Sequence, residues 1–146
     1  MDSLKTLFST VILYRHNLHV LHWKAKGCDF DCIHGLLDTY VDKFNGFVDE
    51  IAEIMLMMGT NPLSIQDCLK IAEDDSDITH IIIDPNSDYD AEECINHVKT
   101  MFDTLMNVYE NVCDEDDIPN DIIATFDNHV GWIRLENKYK NVQRLK

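Results

Sequence analysis

Four side chains in the first third of the chain are of metal-ligating type and stand at informative intervals: His22, His34, Asp49 and Glu53. Imidazole combined with carboxylate suits iron, zinc or manganese better than it suits the soft metals held by thiolates. Asp49 and Glu53 are four residues apart and share a helix face. His34 and Asp49 are fifteen apart, which on one helix is about 22 Å at 1.5 Å per residue. Those two cannot grip one ion within one chain. If all four bind the same metal, a second copy in antiparallel pairing must complete the site.

The elements that would position these residues are helical. Only five glycines and three prolines occur in 146 residues, and long stretches repeat apolar residues every three or four positions, an all-helical signature. Ser3 is a candidate N-cap for a first helix over 4–26 that stops at Gly27. On its stripe of Leu4, Phe8, Val11 and Leu18, His22 returns to the angle of Leu4. A second helix is predicted over 32–58, with Asp31 as cap and Gly59 as stop. Its seam runs Ile33, Leu37, Tyr40, Phe44, Phe47, Ile51, Ile54, Met58, which is bundle packing. His34, Asp38, Asp49 and Glu53 fall in a band of about 100° beside that seam. Ser64 could cap a short helix through residue 72, and an Asp-rich loop follows with Ile81, Ile82 and Ile83 as a brief extended piece or an anchor for the crossover. Asp90 and Glu93 have the spacing of a capping box for a third long helix carrying Ile95, Val98, Phe102, Leu105, Tyr109 and Val112. After the acidic turn 114–117, Pro119 is a favoured first-turn residue for a fourth, through Ile122, Phe126, Val130 and Ile133 to about 139. Four long helices with one long connection, itself carrying a short helix, describe an all-α, ferritin-like four-helix bundle, and 146 residues fit one domain, 1–146.

Composition narrows the class. The formal charge is −15, from 27 acidic against 12 basic side chains, which disfavours nucleic acid as a partner of the bulk surface and favours cation handling. No apolar run approaches the ~18 residues of a membrane span. The first apolar segment is broken by Tyr14, Arg15 and His16 and does not read as a signal peptide, so a cytoplasmic protein is expected. Five cysteines, Cys28, Cys32, Cys68, Cys94 and Cys113, are odd in number, scattered and without CxxC spacing; five free thiols, mostly packed as small apolar groups, are expected.

The series His22-Trp23, Lys26-Gly27, Phe30, His34 and Asp49-Glu50-Ile51-Ala52-Glu53 resembles the Dps family, the mini-ferritins or DNA-binding proteins from starved cells. The resemblance extends loosely into the crossover (Pro62-Leu63-Ser64, Leu69) and the last helix (Asn120-Asp121, His129, Trp132). It implies a hollow dodecamer with iron-oxidising sites, di-iron or mono-iron, at twofold interfaces. His22 and His34 would come from one subunit and Asp49 and Glu53 from its mate, with Asp38 as an additional or supporting ligand. Trp23 would sit beside the site to scavenge an oxidising equivalent. The family oxidises Fe(II), often with hydrogen peroxide, and deposits ferric mineral. Iron would enter through pores lined by acids matching Asp117 and Asp121, with Asp114 a looser match. The Glu-x-x-His pairs of larger ferritins are missing, since Glu93 and His97 are four apart.

Blander readings stand beside these. His129, alone on an apolar stripe, reads as a hydrogen-bonded core residue, and His16 and His19 as structural or surface groups. Cys28 and Cys32 lie near the proposed site but read as ordinary thiols. The basic segment 138–146 could touch DNA phosphate or compensate a helix C-terminal dipole; the second reading is preferred. Against an iron-oxidising, iron-storing cage stands a noncatalytic structural or DNA-compacting shell with the same bundle. A third reading places zinc in the site, blocking turnover.

Overall fold

The computed structural model describes residues 2–74, 82–115 and 117–139. Among these, five helices follow one another: α1 (Asp2–Lys24), α2 (Phe30–Met57), α3 (Ile65–Glu73), α4 (Ala91–Asp114) and α5 (Asn120–Tyr139). The four long ones form the expected bundle. The seam of α2 is its spine: Ile33, Leu37, Tyr40, Phe44, Phe47, Ile51 and Ile54 are all buried. An aromatic knot fills the middle. Tyr40 and Phe44 meet Phe102 and Trp132 at ring separations of 5.3–6.1 Å. Burying rings of this size contributes more than any other term to a small core.

The helix ends follow local chemistry. Ser64 caps α3, its hydroxyl accepting from the Asp67 N–H at 3.2 Å. Asp90 and Glu93 form the capping box of α4 in both directions. Gly59 takes positive φ, +81°, directly after the cap of α2 and stops that helix, whereas α1 ends at Lys24, short of Gly27, whose positive φ of +105° serves the turn into α2 instead. Two caps differ from expectation. Ser3 lies inside α1, and its N–H donates to Glu115 Oε1 at 2.9 Å. The helix begins two residues earlier because this acid, brought from the far end of α4, satisfies an open amide that a local cap would otherwise serve. At α2 the position before the helix is Asp29 rather than Asp31, and its side chain makes no capping bond.

The crossover is pinned at both ends. Helix α3 packs on α1 through buried Cys68 and Ala72. Ile83 is buried and its N–H donates to Asn17 on α1, so it acts as the anchor expected; Ile81 lies outside the described residues. The turn between α1 and α2 is tied to the start of α4, Lys26 N–H donating to the Tyr89 carbonyl (2.8 Å) and Tyr89 N–H to that of Lys24 (2.9 Å).

The cysteines correct one expectation. Only Cys68 and Cys94 are packed; Cys28, Cys32 and Cys113 are exposed. Burial pushes the Cys94 thiol up to about 12 and raises that of Cys68. No helix among the described residues is long and apolar enough to cross a membrane.

Candidate metal centre

The tight hairpin of α1 and α2 brings His22 and His34 face to face. Their rings stack with centroids 3.7 Å apart and planes 21° from parallel. Each ring reaches across the hairpin to the other residue's backbone: His22 Nδ1 lies 2.9 Å from the His34 carbonyl and His34 Nδ1 lies 2.8 Å from that of His22. A carbonyl can only accept, so both Nδ1 atoms carry the proton. In the neutral ring that leaves the lone pair on Nε2, and a metal-ligating histidine is oriented by this kind of bond through its other nitrogen. Phe30, in the first turn of α2, stacks on the outer side of His34 at 4.8 Å. Both imidazoles are therefore locked in place and half-buried.

The carboxylates are differently placed. Asp49 and Glu53 sit on the other half of α2, exposed and without a hydrogen bond or ion pair among the described residues. Within one chain no three His, Cys, Asp or Glu side chains among the described residues converge to hold a metal. The structure thus brings His22 to His34, keeps Asp49 near Glu53, and leaves the two pairs apart. Asp38 is exposed one turn beyond His34.

Trp23 is 59% exposed. It stacks on His19 at 5.0 Å with planes 9° apart and meets the edge of His16 at 6.2 Å. Burial, followed by the charges of His22, His16 and Arg15, holds His19 below the usual histidine range, with Asp38 opposing. The stack has a sequence signal that went unused, the four-residue step from His19 to Trp23. His129 is not the hydrogen-bonded core residue expected: half-buried, it lies flat on Phe47 at 5.0 Å, with Nε2 3.7 Å from Glu50. Asp114, Asp117 and Asp121 are exposed around the α4–α5 turn, and Asp116 lies outside the described residues. Glu115 turns inward to Ser3 instead.

No family model matches the chain. It is 28% identical over 128 residues to the DNA protection during starvation protein of Streptococcus suis, an alignment spanning 82% of this chain and 72% of that one. Its fold matches the Mycobacterium smegmatis Dps, with a TM-score of 0.74 at 19% identity, over 99% of this chain and 84% of that one. It also matches a Vibrio cholerae Dps described as one of a superfamily of ferritin-like diiron-carboxylate proteins, with a TM-score of 0.71 at 19% identity, over 91% and 80% of the two chains. In sequence and in fold the chain is similar to Dps proteins. Its bundle is of the ferritin-like kind, with the additional short α3 in the crossover.

Proposed function

We propose that this Dps-like protein is the subunit of a cytoplasmic homo-oligomeric cage, expected to close as a dodecamer, that oxidises Fe(II) with hydrogen peroxide and stores the ferric product. The observation that carries the reading is the reciprocal bonding of His22 and His34. It leaves both Nε2 lone pairs free to meet an outside ligand, while no carboxylate among the described residues of the same chain joins them. Asp49 and Glu53 of a twofold mate are the complement, and the exposed apolar groups near them, Leu56, Met57, Ile65 and Leu69, are surface that a partner would cover. Fe(II) is the substrate, held by nitrogen and oxygen donors of the kind it prefers, with Asp38 as a supporting carboxylate. Two Fe(II) ions supply the two electrons that, with two protons, reduce one peroxide to two waters. The carboxylates offset the added positive charge of the product. Trp23, exposed and stacked on His19, would take up an oxidising equivalent that escapes. Acids at Asp117, Asp121 and Asp114 would gather iron at the entry, since a patch of one sign raises the local concentration of its counter-ion.

The test is anaerobic Fe(II) titration followed by peroxide. Saturable binding and a fast ferric absorbance are expected, both lost in His34→Ala and in Asp49→Ala. Unchanged oxidation in both variants would leave a noncatalytic shell; saturable zinc binding that abolishes turnover only in the parent would place zinc as an inhibitor at the same ligands.

A further inference from the structure

A second polar site lies on the opposite side of the bundle, between α4 and α5. There a cavity of about 280 Å³ is lined by Lys99, Asp103, Met106, Arg134, Asn137 and Lys138. Three of the twelve basic residues in a chain of charge −15 share this one small pocket. Compensation of the α5 C-terminal dipole explains Lys138. It gives no reason for Lys99, which belongs to the neighbouring helix, or for Arg134, whose guanidinium stands 5.9 Å from the Tyr109 ring, a turn before the end of α5.

One carboxylate stands among these cations. Asp103 is held by Asn137 Nδ2, which donates to its Oδ1 at 2.6 Å, and by Lys99, 3.5 Å from its Oδ2. Asn137 is 9% exposed, and its own Oδ1 is buried with no partner among the described residues. The side chain of Asp103 is 54% exposed, so a bound molecule can reach it. The pocket therefore offers cationic donors together with fixed acceptors. A fully deprotonated oxyanion is repelled by a carboxylate; an oxyanion that retains a hydroxyl can donate to it while its other oxygens accept from Lys and Arg.

We propose that this pocket binds protonated phosphate, either free inorganic phosphate or the terminal group of a phosphomonoester, with Arg134, Lys99 and Lys138 on the charged oxygens and Asp103 accepting from the P–OH. Inorganic phosphate keeps that proton near neutral pH, a phosphomonoester keeps it only below its second pKa of about 6, and sulfate and phosphodiesters have none to give. This site is independent of the iron ligands.

The experiment is calorimetric titration of the assembled protein, without added iron, using sodium phosphate, sodium sulfate, phenyl phosphate and dimethyl phosphate at equal ionic strength. Saturable binding of phosphate at one site per subunit is expected, with sulfate and dimethyl phosphate at least about tenfold weaker, the effect of one charge-assisted hydrogen bond. At pH about 5.5, where phenyl phosphate also keeps a P–OH, its binding as tightly as phosphate would mark a phosphomonoester ligand, and its exclusion would mark the free ion. Arg134→Gln should weaken phosphate roughly tenfold or more, and Asp103→Asn should bring sulfate up to phosphate. Both substitutions are at the surface, and unchanged assembly mass and thermal midpoint would show the fold intact. No saturable phosphate binding, equal affinity for sulfate in the parent, or an Arg134→Gln titration identical to the parent's would each overturn the proposal.

Discussion

The two ends of α2 carry metal-ligating side chains in opposite states of preparation. At its start, His34 is stacked, bonded and half-buried against His22 and Phe30. In its second half, Asp49 and Glu53 are exposed, with no hydrogen bond or ion pair among the described residues. The chain spends two hydrogen bonds and a ring stack on orienting the imidazoles and none on the carboxylates. A helix face with free acids costs little, because water solvates them. Two stacked imidazoles cost more, and are held because His34 Nδ1–H serves the His22 carbonyl in the open last turn of α1 while His22 Nδ1–H bonds the His34 carbonyl in return. The half of the site prepared in advance is the half that needs a defined tautomer.

That contrast can be broken by substitutions with matched effects on iron but unequal effects on folding. Glu53→Gln should lower the rate of peroxide-driven iron oxidation by about 100-fold, at the upper end of what loss of a supporting group costs a metal site, while moving stability by under about 0.5 kcal/mol, as exposed changes do. His34→Ala should lose oxidation equally and also cost about 1–2 kcal/mol, because a hydrogen bond and a stack go together. Stopped-flow absorbance and urea unfolding read the two quantities. Equal stability losses would mean that the imidazole pair is not the better-anchored end.

A subtler separation uses Gly27 in the turn between α1 and α2 and Gly59 at the end of α2. Alanine at Gly27 or at Gly59 must adopt a positive φ and should cost about 1–2 kcal/mol in either case. Only Gly27→Ala strains the turn that sets His22 against His34, so only it should also weaken Fe(II) binding. Isothermal titration of both variants distinguishes them. If Gly59→Ala weakened iron binding as much, the hairpin would not be what positions the imidazoles.

The smallest effect belongs to the acids around the α4–α5 turn. Asp117→Asn combined with Asp121→Asn should slow iron uptake a few-fold at low salt, and the difference should fade above about 0.15 M salt, where exposed charges are screened within ~8 Å. An effect independent of salt would point to direct ligation instead.

Much of this was legible in the residues. The period of the α2 seam gave the bundle, and Ser64 and the Asp90–Glu93 pair gave their caps because capping is local chemistry. Ser3 was misread as a cap because the group that serves its amide, Glu115, is 112 residues away. Most of the five cysteines were expected to be packed, but free cysteine carries no periodicity of its own: Cys28 falls in the turn, and Cys32 and Cys113 fall off the helical stripes. The ligand types and their intervals were visible. The Nδ1 bonds of His22 and His34 were not, because they depend on how a turn tied to Tyr89 closes the hairpin. The phosphate pocket was equally hidden, since Lys99 and Arg134 meet only when α4 and α5 pack.

The most direct measurement is complementation between two inactive subunits. His34→Ala and Asp49→Ala chains are co-expressed with different tags, doubly purified as mixed assemblies, and assayed for ferric absorbance after Fe(II) and peroxide. If imidazoles and carboxylates come from different chains across a twofold axis, each mixed dimer carries one intact site and one doubly defective one. A random mixture then recovers roughly a quarter of the parental sites from two parents with none. Mixed assemblies as inactive as either variant alone would mean that His34 and Asp49 serve the same chain's site, and the shared centre would have to be abandoned.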